Sequence, residues 1–377
     1  MILELHMSDG LEDIDAEVRP KLEYPFDAPP ERGRVLEVAP GIHWLRLPLP
    51  FALNHINLWA IADDDGWALV DTGLRSDDTM RVWRELFANA SDPRPLTRVF
   101  VTHMHPDHIG MAGWLTRKFG ARLWMTRLEY LTCRTMVADT GREAPADGIG
   151  FYRRAGWGPE SIESYRVRFG NFGKYIHTLP DSYRRLRDGE ELRIGAHTWR
   201  VVVGNGHSPE HACFHCPALK VLISGDQVLP RISSNVSVYP TEPDADPMAD
   251  WYASLAKVKQ EVPDDVLVLP SHNECFRGLH ARIDALKQGQ DRAFERLRRT
   301  LAEPKRAIDV FGALFGRSIS EADVHLLGMA TGESIACLNH LVLRGEVRRE
   351  TDANGVDWYR CPEPARSAPA QRIAPAS

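Results

Sequence analysis

Short apolar runs separated by turn residues dominate the first third of the chain and predict strands over residues 35–38, 42–47, 56–62, 67–70 and 99–102. Asp63-Asp64-Asp65-Gly66 falls between two of these runs, and Asp-Gly supplies the positive φ of a tight hairpin. The apolar period then lengthens to that of a helix at residues 76–90 and 109–119, with Gly120 as the expected C-cap. A second set of strands is predicted at 191–194, 198–203, 211–216, 221–224 and 266–270, with a helix near 247–262. The pattern describes two mixed β-sheets with helices outside.

Residues 128–187 interrupt the alternation and follow neither period. They are rich in Gly, Arg and aromatics, among them Tyr130, Tyr152, Trp157, Tyr165 and Phe169. A segment this long inside a compact domain is expected to form a substrate cap. A helix over 279–303 ends near Pro304. Three helices follow, at 307–315, 320–329 with Ser320 as N-cap, and 331–344. Strands at 346–350 and 356–360 flank the turn Asp352-Ala-Asn-Gly355, which completes a winged-helix order. The chain thus divides into a leader (1–33), a catalytic domain (34–303), a winged-helix-like unit (304–361) and a Pro, Ala and Ser rich tail (362–377) expected to be disordered.

Composition narrows the setting. The 377 residues are 43% hydrophobic and 26% charged with net charge -6, which gives no general pull toward nucleic acid or an anionic membrane. The N-terminus lacks the basic and apolar regions of a signal peptide and no long uninterrupted apolar run is present, so the expected location is cytoplasmic. Six scattered cysteines are expected to be reduced.

The chemistry concentrates in Thr102-His-Met-His-Pro-Asp-His-Ile-Gly110, at the end of a predicted strand. Alternation along extended chain lets His103 and His105 converge on one point, while Asp107 and His108 face a neighbouring one. Further ligand-type residues recur at the ends of later strands: His207 in Gly204-Asn-Gly-His, Asp226 in Ser224-Gly-Asp, and His272 in Pro270-Ser-His. Two adjacent cation sites follow.

These residues resemble the HxHxDH and later motifs of the metallo-β-lactamase superfamily, over roughly residues 35–280. The resemblance implies an α/β fold, a four-layer αβ/βα sandwich with the site at one edge. By position, His103, His105 and His207 would hold one ion, Asp107, His108 and His272 the other, and Asp226 would bridge them. Asp71 in Leu69-Val-Asp-Thr-Gly73 matches the early Asp that supports the metal loop. The complete set looks like the two-metal glyoxalase II type. Imidazole and carboxylate ligands suit zinc and also accept iron or manganese.

Two ions about 3.5 to 4 Å apart would activate a bridging hydroxide for attack on a thioester, ester or lactone carbonyl, with Asp107 orienting it and passing a proton. A small-molecule acyl substrate is the expected partner. Two other readings stand beside it. The winged-helix unit resembles the lactamase-β-2-like branch, which implies cleavage of single-stranded RNA; alternatively, it makes the chain a nucleic-acid-binding regulator with a metal sensor. Residues 301–361 carry seven Lys or Arg against nine acids, which disfavours phosphate binding, so packing or homo-oligomer contacts are the expected use of the wing. Arg277 and His280, close in sequence to His272, are candidate substrate contacts.

Overall fold

The computed structural model describes residues 21–90, 92–320 and 323–362. The expected leader up to residue 20 and the tail from residue 363 lie outside them. Seven strands form the first sheet in sequential order: β1 (Leu36–Ala39), β2 (Ile42–Pro48), β3 (His55–Asp63), β4 (Gly66–Val70), β5 (Leu96–Phe100), β6 (Arg122–Met125) and β7 (Arg184–Arg185). β1 to β4 run antiparallel and β4 to β7 parallel. The second sheet has the order β12-β11-β10-β9-β8, from β8 (Glu191–Ile194), β9 (His197–Gly204), β10 (His211–Cys216), β11 (Val221–Gly225) and β12 (Leu267–Pro270).

Strand alternation explains the layering. On β2, Ile42 and Trp44 point between the sheets, whereas Leu45 and Leu47 point to the outer helices. On β9, Trp199, Val201 and Val203 face inward and Val202 outward. Both faces of the central strands are thus covered, and such strands read as continuous apolar runs. The helices α1 (Asp77–Asn89), α2 (Pro106–Ile109) and α3 (Ala112–Phe119) follow β4 and β5 on the outside of the first sheet. Ser76 caps α1 by accepting the Thr79 N–H at 3.0 Å, and Thr79, Val82, Trp83 and Leu86 form its buried stripe. Gly120 ends α3 in the left-handed region, at φ 66°.

The insert is helical, contrary to its aperiodic look: α4 (Arg127–Ala138), α5 (Ala146–Arg154) and α6 (Pro159–Arg168) precede a 3-10 turn at Asn171–Tyr175. These helices are short, and a carboxylate, Glu129, lies on the buried face of α4, which breaks the apolar stripe. β6 escaped notice because it opens on the exposed Arg122.

Outside the second sheet pack α7 (Pro247–Glu261) and α8 (Leu279–Thr300), followed by a 3-10 turn, α9 (Phe311–Phe315), α10 (Val324–Leu343) and a hairpin of β13 (Arg348–Thr351) and β14 (Asp357–Arg360). The two helices expected at 320–329 and 331–344 are one, α10, capped by Asp323 rather than Ser320. Thr331 does not break it, because its hydroxyl donates back one turn to the Leu327 carbonyl at 2.7 Å. Gly332 lets the loop at Ser237 and Val238 pass against the helix, and the Val238 N–H donates to the Gly332 carbonyl at 3.0 Å. Among the described helices, only 325–343 is long and apolar enough to cross a membrane, and it is 72% buried. One hydrophobic cluster joins α5, α6, α7, α8 and α10 with the outer face of the second sheet, from Ile149 through Val268 to Tyr359.

Candidate metal centre

All seven of the predicted side chains converge at one edge of the sandwich, where the C-terminal ends of β5, β9, β11 and β12 meet. His103 and His105 precede α2, whose first turn carries Asp107 and His108. His207 follows β9, Asp226 follows β11 and His272 follows β12. Six are buried; His105 is half-buried and marks the side on which the cluster meets the surface.

The donor atoms fall into two groups, His103, His105, His207 and Asp226, and Asp107, His108 and His272, each within 4.8 Å. In the first, His103 Nε2 lies 3.3 Å from His207 Nε2 and 3.9 Å from Asp226 Oδ2. In the second, His108 Nε2 and His272 Nε2 stand 3.6 and 3.5 Å from Asp107 Oδ2. Asp226 faces both: its Oδ2 is 3.5 Å from His207 Nε2 and 3.3 Å from His108 Nε2, and its Oδ1 is 3.5 Å from His272 Nε2. Except for His103 Nε2 and His105 Nδ1, which are 2.8 Å apart, these spacings are long for hydrogen bonds. Two ligand atoms each about 2.1 Å from one tetrahedral ion lie about 3.4 Å apart, so the donor set fits divalent cations by chemistry and by spacing.

Electrostatics point the same way. Burial and the surrounding imidazoles push His103 well below the ordinary histidine range. Burial also disfavours the charged ring of His108, but the carboxylates of Asp226, Asp107 and Asp71 outweigh it and raise that histidine.

A supporting shell fixes the rings of His108, His207 and His272. Asp71 accepts from Thr102 N and Oγ1 and pairs with His108 Nδ1 at 2.8 Å, from a backbone with φ 63°. His207 Nδ1 meets the Asn235 carbonyl at 2.8 Å, and His272 Nδ1 that of His55 at 2.9 Å. Such partners set the tautomer and leave Nε2 directed inward. The Asp226 N–H donates to His211 Nε2 at 3.1 Å, and burial lowers His211 to about 3, so its ring is a neutral acceptor. Gly225 must be glycine here, because its φ is 53° and a Cβ would overlap the His211 ring.

Sequence reading missed several of these supports. Glu129, fully buried on α4, accepts the Met104 and Glu210 N–H groups at 2.8 Å each and so binds the first ligand loop to the third. Arg46 and Asn57, on the first sheet, hold the His272 loop through the carbonyls of Pro270 and Asn273. Only spatial proximity reveals them; nothing in their spacing does. Arg277 and His280 turn away from the site, because Phe276 pairs back along β12 with Val268. They bind instead the Asp265 and Val262 carbonyls. Cys213 and Cys216 lie on opposite faces of β10, and burial raises the Cys213 thiol to about 12, which leaves no redox pair.

Comparison with known proteins agrees with this architecture. A protein described as a beta-lactamase domain protein from Burkholderia ambifaria is 42% identical, with TM-score 0.82 over 91% of this chain and 98% of its own. A metallo-beta-lactamase family protein from Thermus thermophilus is 25% identical, with TM-score 0.71 over 86% of this chain and 100% of its own. An atrochrysone carboxyl ACP thioesterase of Aspergillus fumigatus is 29% identical over 257 residues, 68% of this chain and 46% of that protein. This chain therefore spans about half the length of the curated thioesterases it matches. Residues 294–362 match the metallo-beta-lactamase-like C-terminal domain. Residues 52–272 match the metallo-beta-lactamase superfamily itself, and the chain belongs to that family of metal-dependent hydrolases.

Proposed function

We propose that the protein is a dinuclear metal hydrolase of thioesters, with esters and lactones as related acyl substrates. In this reading His103, His105 and His207 hold one ion, Asp107, His108 and His272 the second, and Asp226 lies between. Zinc is the metal the imidazole-rich donor set suits first, with iron or manganese as alternatives. The observation that carries the reading is the pair of buried donor groups facing a shared Asp226. Similarity to two carboxyl ACP thioesterases supports the thioester among acyl substrates.

Bound there, divalent ions supply Lewis acidity and bring the ionisation of a water toward neutrality. The chain's own residues do the rest. The Asp107 carboxylate accepts a proton from the attacking water, whose oxygen bonds to the carbonyl carbon. The C–S bond then breaks, and the proton passes from Asp107 to the departing thiolate. Burial of the cluster keeps bulk water from competing for these groups.

Nucleic acid is the weaker reading. The surface of α10 that a winged helix would need is spent on the core at Ile335, Leu338 and Leu341. Arg306, Arg344 and Arg349 are engaged by Asp309, Glu346 and Asp244.

The test is metal content by elemental analysis together with turnover of acyl-pantetheine thioesters, for the wild type and His105→Ala. Close to two ions per chain and thioester cleavage are expected, with both reduced in the variant. Full metal content and turnover in His105→Ala would overturn the assignment, and cleavage of single-stranded RNA in place of thioesters would overturn the substrate.

A further inference from the structure

Between α5, α6 and α10 lies an open cleft of about 250 Å³. One wall is aromatic: Tyr152 packs on Trp157 and Tyr165 with ring centroids 4.2 and 4.7 Å apart, and Tyr165 meets Phe169 at 5.9 Å. The facing wall is α10, and at Gly328 it presents no side chain at all. A Cβ there would meet only Trp157, at 4.0 Å. A shallow slot walled by rings and edged by bare helix backbone suits an apolar ring stacked on that wall.

One cation lines this slot. Arg168, at the end of α6, forms no ion pair with any described residue, although the Asp323 carboxylate lies near enough to favour its charge, and its Nη2 is buried without a hydrogen-bond partner. An arginine left so is a receptor for an anion, which it can grip through two parallel N–H bonds. His325 beside it adds no second charge, since burial and the Arg168 guanidinium lower it to about 4. One residue links the cleft to the donor cluster. Asn235 lines it, and the carbonyl of that residue accepts from His207 Nδ1.

We propose that this cleft is a specificity site for an aromatic acyl group bearing a carboxylate, with the ring against Tyr152 and Tyr165 and the acid on Arg168. The proposal rests on the acyl-hydrolase reading above and names its substrate class. A phosphate on the carrier arm shares the anionic chemistry, but the aromatic wall favours the aryl acid.

Calorimetric titration of the metal-loaded full chain with 1-hydroxy-2-naphthoate tests it without turnover, and pantetheine 4′-phosphate serves as the second arm. Saturable binding of the naphthoate is expected, weakened ~10-fold or more in Arg168→Gln and in Gly328→Leu, as for loss of a charged hydrogen bond or of the slot itself. In turnover, the KM for a carboxynaphthoyl thioester rises in both variants by a larger factor than the KM for acetyl-pantetheine. Equal naphthoate binding by wild type and Arg168→Gln, no binding by either, or Arg168-dependent binding of the phosphate alone overturns the proposal. Naphthoate binding as expected with no thioester cleaved would instead defeat the hydrolase reading and leave the cleft standing.

Discussion

Glu333, on α10 near the C-terminus, accepts a 2.6 Å hydrogen bond from the Asn235 side chain, and the carbonyl of Asn235 in turn fixes His207. The C-terminal domain therefore braces a residue of the candidate metal cluster although it supplies none. Removing the brace in Glu333→Ala is expected to lower metal affinity ~10-fold, the usual cost of losing an outer partner of a ligating histidine. Glu333→Gln, which keeps an acceptor, should lose less. Competition with a chromophoric chelator measures both, and equal affinities for Glu333→Ala and wild type would show that the brace carries no load.

Asp71 combines two properties that separate variants can resolve. Asp71→Ala deletes the acceptor for Thr102 and His108 and leaves an alanine at φ 63°, so metal affinity should fall ~10–100-fold and stability with it. Asparagine tolerates the left-handed region, and Asp71→Asn should recover the stability but not all of the affinity. Thermal melts of the metal-free protein and chelator competition separate the two effects.

Gly225→Ala places a methyl group inside the His211 ring's space at a residue with φ 53°. Strain and overlap together should cost ~3 kcal/mol or more. Denaturant unfolding gives the number, and a loss below ~1 kcal/mol would mean that His211 can move aside without consequence.

The opposite end of the sandwich holds an acid-sensitive contact. There Asp63 bonds Arg98 and Thr97 on the first sheet and the Gly195 N–H on the second. Burial would raise its carboxyl, but the bonds from Arg98, Thr97 and Gly195 outweigh it and leave it at about 2. A carboxyl lowered on folding stabilises above its unfolded value of about 3.9, and that share disappears as pH falls toward about 2. Asp63→Asn should therefore melt below wild type at neutral pH, with the gap closing between about pH 4 and about pH 2. A gap that does not change with pH would assign the loss to packing.

The seven cluster residues were legible because strand ends and loop spacing are local properties: His103 to His108 lie in one loop, and His207, Asp226 and His272 each follow an apolar run. The layers were legible because doubly buried strands such as β11 and β12 are nearly all apolar. What did not show was whatever depends on tertiary neighbours. Thr331 and Gly332 look like a helix break until Ser237 and Val238 are seen packed against them. Glu129 looks like a surface acid until Met104 and Glu210 present their N–H groups to it. Arg277 and His280 follow His272 in sequence, but the reversal at Phe276 sends them to the far end of the strand.

Glu129 also divides the insert for anyone who would redesign it. By cross-tying the loops of His105 and His207, α4 belongs to the frame of the donor cluster, and a transplanted insert that omitted this carboxylate would arrive with the donor loops unfastened. The exchangeable part begins with α5 and α6. Those helices are joined to α10, where Trp157 donates to Thr331 at 2.9 Å, so a graft intended to change substrate preference has to carry the matching face of a helix from the far end of the chain.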